Sequence, residues 1–330
     1  MKRNGVIQPL PGIGDMVWHV PALRALAEAH HDSGGLVLFT KASAQAHRLF
    51  AAEPMIAEVL TLPIAPRGAK GTARLWLGVW RMLREAKLSR LYILHHSPRY
   101  QWAARLAGIP HVITYAPALA ASDDNGFLKS MALLKAHAIP VQEPQSRLTP
   151  HGGLLEAMAE RYGSYPKPWI VVAPGATEPL RRWPVERFAI CADGLARATL
   201  GTVFIIGGER ETEAIDEIVA LCLNQPQVVA VKGVRLEQVM ALMAHASLLL
   251  GNDSGPANVA AALGIPSYAL CGVSEPARHS DNLKLIGPDL SPDLQEDFGT
   301  GMAAITTRHV MNTLQRGVPS LFLAGQAAEP

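Results

Sequence analysis

The sequence predicts an α/β protein made of two doubly wound, Rossmann-like domains, each built on a parallel sheet. Short apolar runs, of the kind that buried parallel strands use, alternate with amphipathic stretches at helical spacing through both halves of the chain. A polar, proline-containing stretch at residues 139–153 separates the halves. We therefore expect one domain over residues 1–150 and a second over residues 151–330, with one cleft that both domains face.

The charge distribution differs between the two halves. Residues 1–150 hold 17 basic and 9 acidic side chains, whereas residues 151–330 hold 13 and 19. This asymmetry indicates that the N-terminal half meets an anionic ligand or surface. No recognisable nucleic-acid-binding module accompanies it, so nucleic acid is not an expected partner.

The cysteines and the hydropathy pattern restrict the compartment. Cys191, Cys222 and Cys271 are scattered, and no Cys or His pair has metal-ligand spacing. No apolar run approaches the ~18 residues of a membrane span, and the first residues lack the apolar core of a secretory signal. We expect a cytoplasmic protein with no metal and no cofactor.

In the first half, strands are predicted over residues 6–10, 36–40, 56–60, 91–94 and 112–115, and helices over 17–29, 42–50, 72–88 and 101–107. The helix at 72–88 carries an apolar stripe widened by Trp76 and Trp80, together with four basic residues. It is either a crossover helix packed on the sheet with solvated arginines, or a helix that lies on an anionic membrane surface.

In the second half, strands are predicted over residues 169–173, 203–206, 228–231, 247–250 and 267–270, and helices over 185–199, 213–221, 236–244, 256–263 and 306–315. The remaining tail to residue 330 is predicted to be loosely ordered. The loop at 273–279 is placed where it could close over a ligand.

The most informative stretch is 248–270, which predicts the order strand, glycine-rich loop, helix, strand. The N-terminus of that helix offers free N–H donors to a phosphate or diphosphate, and Gly251 and Gly255 allow close approach of the backbone. Asp253 could orient a sugar hydroxyl or hold the loop shut. The alternative is an ordinary turn in which Asp253 caps the helix.

Within this stretch, NDSGPANVAAALGIP resembles the signature of glycosyltransferase family 9, the heptosyltransferases of bacterial lipopolysaccharide biosynthesis. The family pattern is Asp-Ser/Thr-Gly-x-x-His-x-x-Ala-Ala, which Asp253, Ser254 and Gly255 match. Asn258 stands where the family has histidine. Its side chain can donate a hydrogen bond but, unlike histidine, cannot take up a proton and become charged. The resemblance runs from the first strand to the loop after Gly272 and implies the GT-B architecture.

Asp15 follows the first predicted strand, at the start of a helix. Locally it is either a helix cap or a residue that faces a ligand at the end of the sheet. The segment PGIGDMVWHVPALRAL is similar to the opening of family 9. The resemblance implies that Asp15 is the general base.

Donor-side residues come from two further loops. The segment PGATEPLRRWP is similar to the family's Pro-Gly-Ala…Lys-x-Trp-Pro motif, and the resemblance maps its cation onto Arg181. A cation there can offset the charge of a departing diphosphate, whereas the alternative is a solvated surface arginine. Thr177 in the same loop is expected on the donor side. Glu209 matches a family glutamate that would hold the ribose, with Glu211 as the second candidate.

His95, His96 and Arg99 follow the fourth predicted strand. Adjacent histidines on an extended chain point to opposite faces, so they do not suit one metal ion. We interpret the three residues as polar groups on the acceptor side or as incidental loop residues.

With the resemblance, these residues predict an inverting glycosyltransferase that moves a heptose from a nucleotide-diphosphate sugar, with ADP-heptose as the expected donor, to a lipopolysaccharide inner-core acceptor. It would work without metal, in peripheral contact with the cytoplasmic face of the inner membrane. The alternatives are a nucleotide-sugar epimerase of the same architecture and a non-catalytic nucleotide-sugar or lipopolysaccharide binding protein. A dehydrogenase fits less well, because Val17 stands where G-x-G-x-x-G needs its third glycine.

Overall fold

The fold is described from a computed structural model, which defines residues 3–64, 69–122, 124–272, 279–288 and 301–326. The chain divides into two compact units, Met1–Thr149 and Pro150–Pro330. Each unit contains one parallel sheet with helices packed on it. The predicted α/β class with two doubly wound sheets is therefore confirmed.

The first unit has a five-stranded sheet in the order β3-β2-β1-β4-β5. Its strands are β1 (Arg3–Gln8), β2 (Leu36–Thr40), β3 (Ile56–Thr61), β4 (Leu88–Ile93) and β5 (His111–Thr114). Its helices are α1 (Ile13–Trp18), α2 (Val20–Ala29), α3 (Ala46–Leu49), α4 (Ala69–Glu85), α5 (Pro98–Leu106), α6 (Pro117–Ala121) and α7 (Gly126–Ala136). The strand order changes direction between β1 and β4, and such a switch point opens a crevice at the carboxyl ends of the strands.

Helices α4 and α5 cover the same face of this sheet. Val79 and Leu83 of α4 join one buried cluster with Ala103 and Ala104 of α5 and with Ile93 of β4. Because both helices bury one side against a common sheet face, their opposite sides point outward together.

The predicted helix at 17–29 is interrupted at His19, which separates α1 from α2. Pro21 has no N–H to donate to the carbonyl of Val17. The hydroxyl of Ser146 donates to that carbonyl instead, at 2.7 Å. A residue far along the chain thus satisfies the acceptor that the proline leaves open.

The second unit has a six-stranded sheet in the order β11-β10-β9-β6-β7-β8. Its strands are β6 (Trp169–Ala173), β7 (Thr202–Ile206), β8 (Val228–Val231), β9 (Leu248–Asn252), β10 (Ser267–Leu270) and β11 (Leu283–Ile286). Its helices are α8 (Gly152–Tyr162), α9 (Val185–Thr199), α10 (Thr212–Leu221), α11 (Leu236–Ala244), α12 (Gly255–Ala262), α13 (Thr307–Gly317) and α14 (Pro319–Gln326). This is the dinucleotide-fold strand order, with its switch point between β6 and β9.

Several elements differ from the sequence prediction. Helices α6, α7 and α8 and strand β11 were not predicted. The tail was expected to be loosely ordered, but α14 occupies residues 319–326 and buries Leu321 and Phe322. Pro319 begins this helix, where its missing N–H has no cost. Residues 327–330 lie outside the described residues.

Candidate functional site

The switch point of the second unit gathers the residues that the sequence placed on the donor side. Strand β6 ends at Ala173 and leads to Thr177, while β9 ends at Asn252 and leads directly to Asp253. A Cβ atom at Gly251 would lie 2.7 Å from the carbonyl oxygen of Ala173, so only glycine lets the two strands run this close. Both loops therefore leave adjacent strands at one edge of the sheet.

Asn252 ties these loops together, and the sequence did not single it out. The side chain is fully buried. Its Oδ1 accepts from the backbone N–H of Trp183 at 3.0 Å, and its Nδ2 donates to the carbonyl of Pro174 at 2.6 Å. One amide thus fixes the loop after β6 and the start of α9 relative to the end of β9.

Replacing Asn252 with alanine is expected to destabilise the second unit by about 3 kcal/mol, because it leaves a buried N–H and a buried C=O without their partner. Urea unfolding of the two proteins measures the difference. Asn282→Ala is the control, since the Asn282 side chain makes one long bond to the Ala261 carbonyl, at 3.4 Å. Equal midpoints for wild type and Asn252→Ala would show that the bonds contribute little.

Asp253 binds the cation that the sequence assigned to the leaving group. An Nη1 of Arg181 lies 3.2 Å from Oδ2 of Asp253, whose side chain is 9% exposed. Nε of Arg181 lies 3.3 Å from the more exposed Glu178. Burial raises the pKa of Asp253, and the nearby guanidinium of Arg181 opposes that rise. The structure thus makes Asp253 an ion-pair partner that orients Arg181.

Ser254 is the N-cap residue of α12, but its side chain does not cap the helix. Its Oγ is buried and has no hydrogen-bond partner among the described residues. Gly255 begins α12, so the first N–H groups of this helix point toward the loop that carries Asp253. A buried hydroxyl and a helix N-terminus together form a place for an anionic oxygen.

Asn258, which stands at the family's histidine position, is buried within α12. Its Nδ2 donates to the carbonyl of Ser254 at 2.8 Å, and its Oδ1 lies 2.8 Å from Nε2 of His279. Because the amide oxygen is an acceptor, Nε2 of His279 is the protonated ring nitrogen. Burial lowers the pKa of His279 to about 4. The sequence grouped His279 with a loop over the ligand, whose residues 273–278 lie outside the described residues.

The two candidate ribose ligands take different positions. Glu209 is exposed, in a short 3₁₀ turn after β7. Glu211 folds back, so that its Oε2 accepts from the backbone N–H of Gly208 at 2.9 Å. A Cβ atom at Gly175 would lie 2.8 Å from Cγ of Glu211, which places Glu211 against the loop that leads to Thr177.

Asp15 lies in the first turn of α1, just after β1. Its Oδ2 accepts from the backbone N–H of Gly12 at 3.0 Å, and its backbone carbonyl lies 2.6 Å from Nδ1 of His19. Asp15 therefore helps to cap α1, as one of the two interpretations of the sequence predicted. The side chain is only half-buried at the carboxyl edge of the sheet, so the same carboxylate is also placed to meet a ligand.

The carboxyl edge of the first unit's sheet contains three buried polar atoms that have no hydrogen-bond partner in the described residues. Within the described part of the chain, Nε2 of Gln8, Nδ1 of His95 and the hydroxyl of Tyr115 have no hydrogen-bond partner. These residues lie at or just after the ends of β1, β4 and β5. Buried polar groups without partners are rare in folded proteins, and a polar ligand is one explanation for such a cluster. Gln8 and Tyr115 were not predicted, although their positions at strand ends were a signal.

His95 is surrounded by positive charge. Burial lowers its pKa first, and Arg99, His96, Lys41 and Lys129 lower it further. Of the two adjacent histidines, His95 is partly buried and His96 is exposed, as expected for neighbours on opposite faces. The predicted acceptor-side trio therefore lies in a basic region of the first unit, which suits an anionic or hydroxyl-bearing ligand.

His19 gives this unit a pH-dependent stability. The ring is fully buried, and burial lowers its pKa from 6.5 to about 4. As pH falls the unfolded chain takes up the proton first, so the stabilisation is complete above pH 6.5 and lost between about 6.5 and about 4. The difference corresponds to about 3 kcal/mol.

Urea unfolding between neutral pH and about pH 4.5 measures this loss. His19→Asn keeps a donor near Nδ1 and removes the titration, so its unfolding free energy should fall less steeply with acid. His31→Asn, at an exposed site, should follow the wild type. An unchanged pH dependence in His19→Asn would exclude His19 as the source.

Metal-binding clusters and membrane-spanning helices are both absent from the described residues. No group of three or more His, Cys, Asp or Glu side chains in this part of the chain is arranged to hold a metal ion. Among its helices, none is both long and apolar enough to cross a bilayer.

Comparison with known proteins places these features in a family. Residues 91–286 match the family model described as glycosyltransferase family 9 (heptosyltransferase). The chain is 27% identical to lipopolysaccharide heptosyltransferase 2 of Escherichia coli K12, over 80% of this chain and 81% of that protein. It is also 26% identical to the lipopolysaccharide core heptosyltransferase OpsX of Haemophilus influenzae. That match covers 51% of this chain and 49% of the relative.

Solved structures share the fold. The structure of E. coli ADP-heptose lps heptosyltransferase II has a TM-score of 0.74 at 23% identity, covering 98% of this chain and 99% of that one. A UDP-GlcNAc 2-epimerase from Neisseria meningitidis, the enzyme class of the first alternative, is more distant. Its TM-score is 0.52 at 13% identity, covering 100% of this chain and 95% of that one.

Proposed function

Because this chain belongs to glycosyltransferase family 9 (heptosyltransferase), we propose that it transfers a heptose from ADP-heptose to a sugar of the lipopolysaccharide inner core, with inversion at the anomeric carbon. The names of the relatives support the heptose and the lipopolysaccharide. A protein of the same fold, the E. coli ADP-heptose lps heptosyltransferase II, supports ADP as the nucleotide. The observation that carries the proposal is the position of Arg181, which Asp253 holds close to the start of α12. An oriented guanidinium and the free N–H groups of a helix N-terminus can both donate hydrogen bonds to diphosphate oxygens.

On the donor side, we propose that Arg181 and the first N–H groups of α12 bind the diphosphate. As the bond between the anomeric carbon and the diphosphate breaks, its electron pair moves to the departing oxygen. A fixed guanidinium and a helix N-terminus stabilise that growing charge without reorganising. Asp253 holds Arg181 in place, and the unpartnered Oγ of Ser254 adds a further hydrogen bond to the diphosphate.

The nucleoside would lie against the loops that follow β6 and β7. We propose Glu209 as the ribose ligand, with Thr177 on the same side, because both side chains are exposed at the carboxyl edge of the sheet. The packing of Glu211 against Gly175, and its bond to Gly208, make it the residue that shapes this loop. Asn258 acts from within α12, through its bond to the carbonyl of Ser254.

On the acceptor side, we propose that Asp15 takes the proton from the attacking hydroxyl. The acceptor oxygen forms a bond to the anomeric carbon on the face opposite the diphosphate, and its proton passes to the Asp15 carboxylate. His95, His96 and Arg99 would bind the acceptor, aided by the unpartnered polar atoms of Gln8 and Tyr115. The basic character of this edge suits a phosphate-bearing acceptor.

The test is ADP release from ADP-heptose, measured with and without a heptose-deficient lipopolysaccharide acceptor. We expect slow hydrolysis of the donor alone, a large acceleration by acceptor, and a product heavier by one heptose. Interconversion of sugars without acceptor would identify an epimerase. Binding of donor without turnover under either condition would identify a binding protein.

Metal independence is a separate expectation. Arg181 and the α12 N-terminus are placed to do the charge stabilisation that a divalent ion does in other transferases. A chelator should therefore change the rate of ADP release by no more than about twofold. Losing a group that stabilises the transition-state charge typically lowers the rate by about 10²–10³-fold, so the two outcomes are easily distinguished. A loss that Mg²⁺ or Mn²⁺ restores would overturn this expectation.

A further inference from the structure

The outward side of α4 and α5 combines exposed apolar and basic side chains. We call it the basic–apolar face, and it consists of Arg74, Leu77, Arg84, Trp102, Arg105 and Leu106. Leu77, Trp102 and Leu106 are 46%, 58% and 59% exposed, although they are large and apolar. Of the five large apolar side chains that are exposed among the described residues of the first unit, three thus lie here.

Sequence periodicity explains why these residues share one surface. Trp102, Arg105 and Leu106 follow the i, i+3, i+4 spacing. Along α4, Leu77 lies three residues after Arg74 and seven before Arg84, so these three also share one side. Each helix turns its other side into the same buried cluster. The basic–apolar face is therefore continuous across two neighbouring helices.

Exposed charge on α4, α5 and the chain between them is nearly all of one sign, and the three charged residues of the basic–apolar face are all cations. Between residues 73 and 107, the exposed charged residues are Arg74, Arg81, Arg84, Glu85, Lys87, Arg99 and Arg105. Six are cations and one is an anion. Two of the guanidinium groups lie near tryptophan rings, that of Arg84 5.4 Å from the ring centre of Trp80 and that of Arg105 5.6 Å from that of Trp102.

We propose that the basic–apolar face docks on an anionic phospholipid surface. Tryptophan favours the boundary between headgroups and acyl chains, where its ring is apolar and its N–H stays hydrated. Arginine extends its charged end toward phosphate while its stem covers apolar surface. Leu77, Trp102 and Leu106 would enter the boundary, and Arg74, Arg84 and Arg105 would bind the lipid phosphates. Docking does not depend on the proposed substrate.

Charge complementarity favours lipid over a second copy of this chain. A symmetric contact places the same surface patch on both partners, so it would bring the cations of this face against one another. An anionic bilayer instead offers a continuous negative surface that matches all of them.

The experiment uses the full chain and unilamellar vesicles of phosphatidylcholine, with and without phosphatidylglycerol, in a sedimentation assay. We expect binding to the anionic vesicles, weakened by salt, and little binding to neutral ones. Arg74→Gln combined with Arg105→Gln should lower the partition coefficient roughly 25-fold, at about fivefold for each basic residue. Vesicles with brominated acyl chains should quench tryptophan fluorescence in the wild type, and Trp102→Phe should lose most of that quenching.

The matched control removes two exposed arginines of the second unit, Arg197 and Arg316, as glutamines. This control lowers the net charge by the same amount, and we expect its partition coefficient to stay within about twofold of wild type. If net charge alone drove binding, the control would bind as weakly as the face variant. Equal binding by the face variant and the control would overturn the proposal. So would concentration-dependent dimerisation that the face variant abolishes, because the face would then be a contact between copies.

Discussion

Replacing Asp15 with asparagine should lower the rate of sugar transfer by about a thousandfold, within the 10²–10⁴ range for loss of a general base. Asparagine keeps the shape of the side chain, and its Oδ1 can still accept the N–H of Gly12, so α1 should begin at the same place. What is lost is the ability to take up the proton of the attacking hydroxyl. The measurement is kcat for acceptor-dependent ADP release, with the dissociation constant of ADP-heptose determined by calorimetry.

The expected pattern is a low kcat with unchanged donor affinity. Asp32→Asn is the control, since it removes another carboxylate of the first unit at an exposed site. A rate within about tenfold of wild type in Asp15→Asn would be too small a loss for a general base, and would leave Asp15 as the helix cap alone. Loss of donor binding in the same variant would also contradict the assignment, because it would move the effect away from the chemical step.

The residues that the sequence analysis placed on the donor side lie together because they follow buried strands in a regular order. Asp253 comes directly after β9, and Arg181 comes soon after β6. Because β6 and β9 are neighbours in the doubly wound order, their loops had to leave one edge together. The observed ion pair is a consequence of that topology. The sequence could not show that Asp253 would bind Arg181 itself, since that depends on side-chain geometry.

The hydrogen-bonding roles of Asn252 and His279 were not predicted. Each acts by a hydrogen bond to a residue distant in sequence, Asn252 to the N–H of Trp183 and His279 to the side chain of Asn258. Nothing in local composition distinguishes a buried amide that joins loops from one in an exposed turn. The family resemblance in the sequence identified Asn258 as a departure, but only the structure shows a histidine bonded to it.

Secondary structure prediction failed at the tail and within the first predicted helix. The tail was predicted to be loosely ordered, whereas α14 occupies Pro319–Gln326, with Leu321 and Phe322 in the buried core of the second unit. Residues 17–29 were predicted to form one helix. The structure instead ends α1 at Trp18, with Ser146 bonded to the carbonyl that Pro21 cannot serve. In both places a distant contact decides the outcome, and pattern alone does not contain it.

At the carboxyl edge of the first unit's sheet, burial and missing hydrogen-bond partners distinguish residues that the sequence alone leaves equivalent as candidate ligand contacts. From sequence, His95 and His96 fit loop residues and ligands equally well. The structure separates them, because His95 is partly buried with an unpartnered Nδ1, whereas His96 is exposed. Tyr115 adds a buried hydroxyl without a partner in the described residues. A buried polar atom costs free energy unless something binds it, so these atoms favour His95 and Tyr115 as ligand contacts.

Replacing Arg181 with alanine should lower kcat by about a hundredfold and weaken product inhibition by ADP. The guanidinium is held by two carboxylates, Asp253 and Glu178, so it is oriented before the donor binds. Removing it takes away the cation that is paired with Asp253, two residues before α12 begins. It also leaves Asp253 buried without its counter-charge, which should raise the pKa of that carboxyl further.

Because of that second effect, the single variant combines loss of catalysis with loss of stability, and a double-mutant cycle separates them. Asp253→Asn removes the buried charge, so Arg181→Ala added to Asp253→Asn should cost less unfolding free energy than Arg181→Ala alone. The catalytic defect should remain. Arg182→Gln is the matched control, since it removes the neighbouring charge and retains a donor for the carbonyl of Ala176. If ADP inhibits Arg181→Ala and wild type equally, Arg181 does not bind the diphosphate, and its role is confined to holding Asp253.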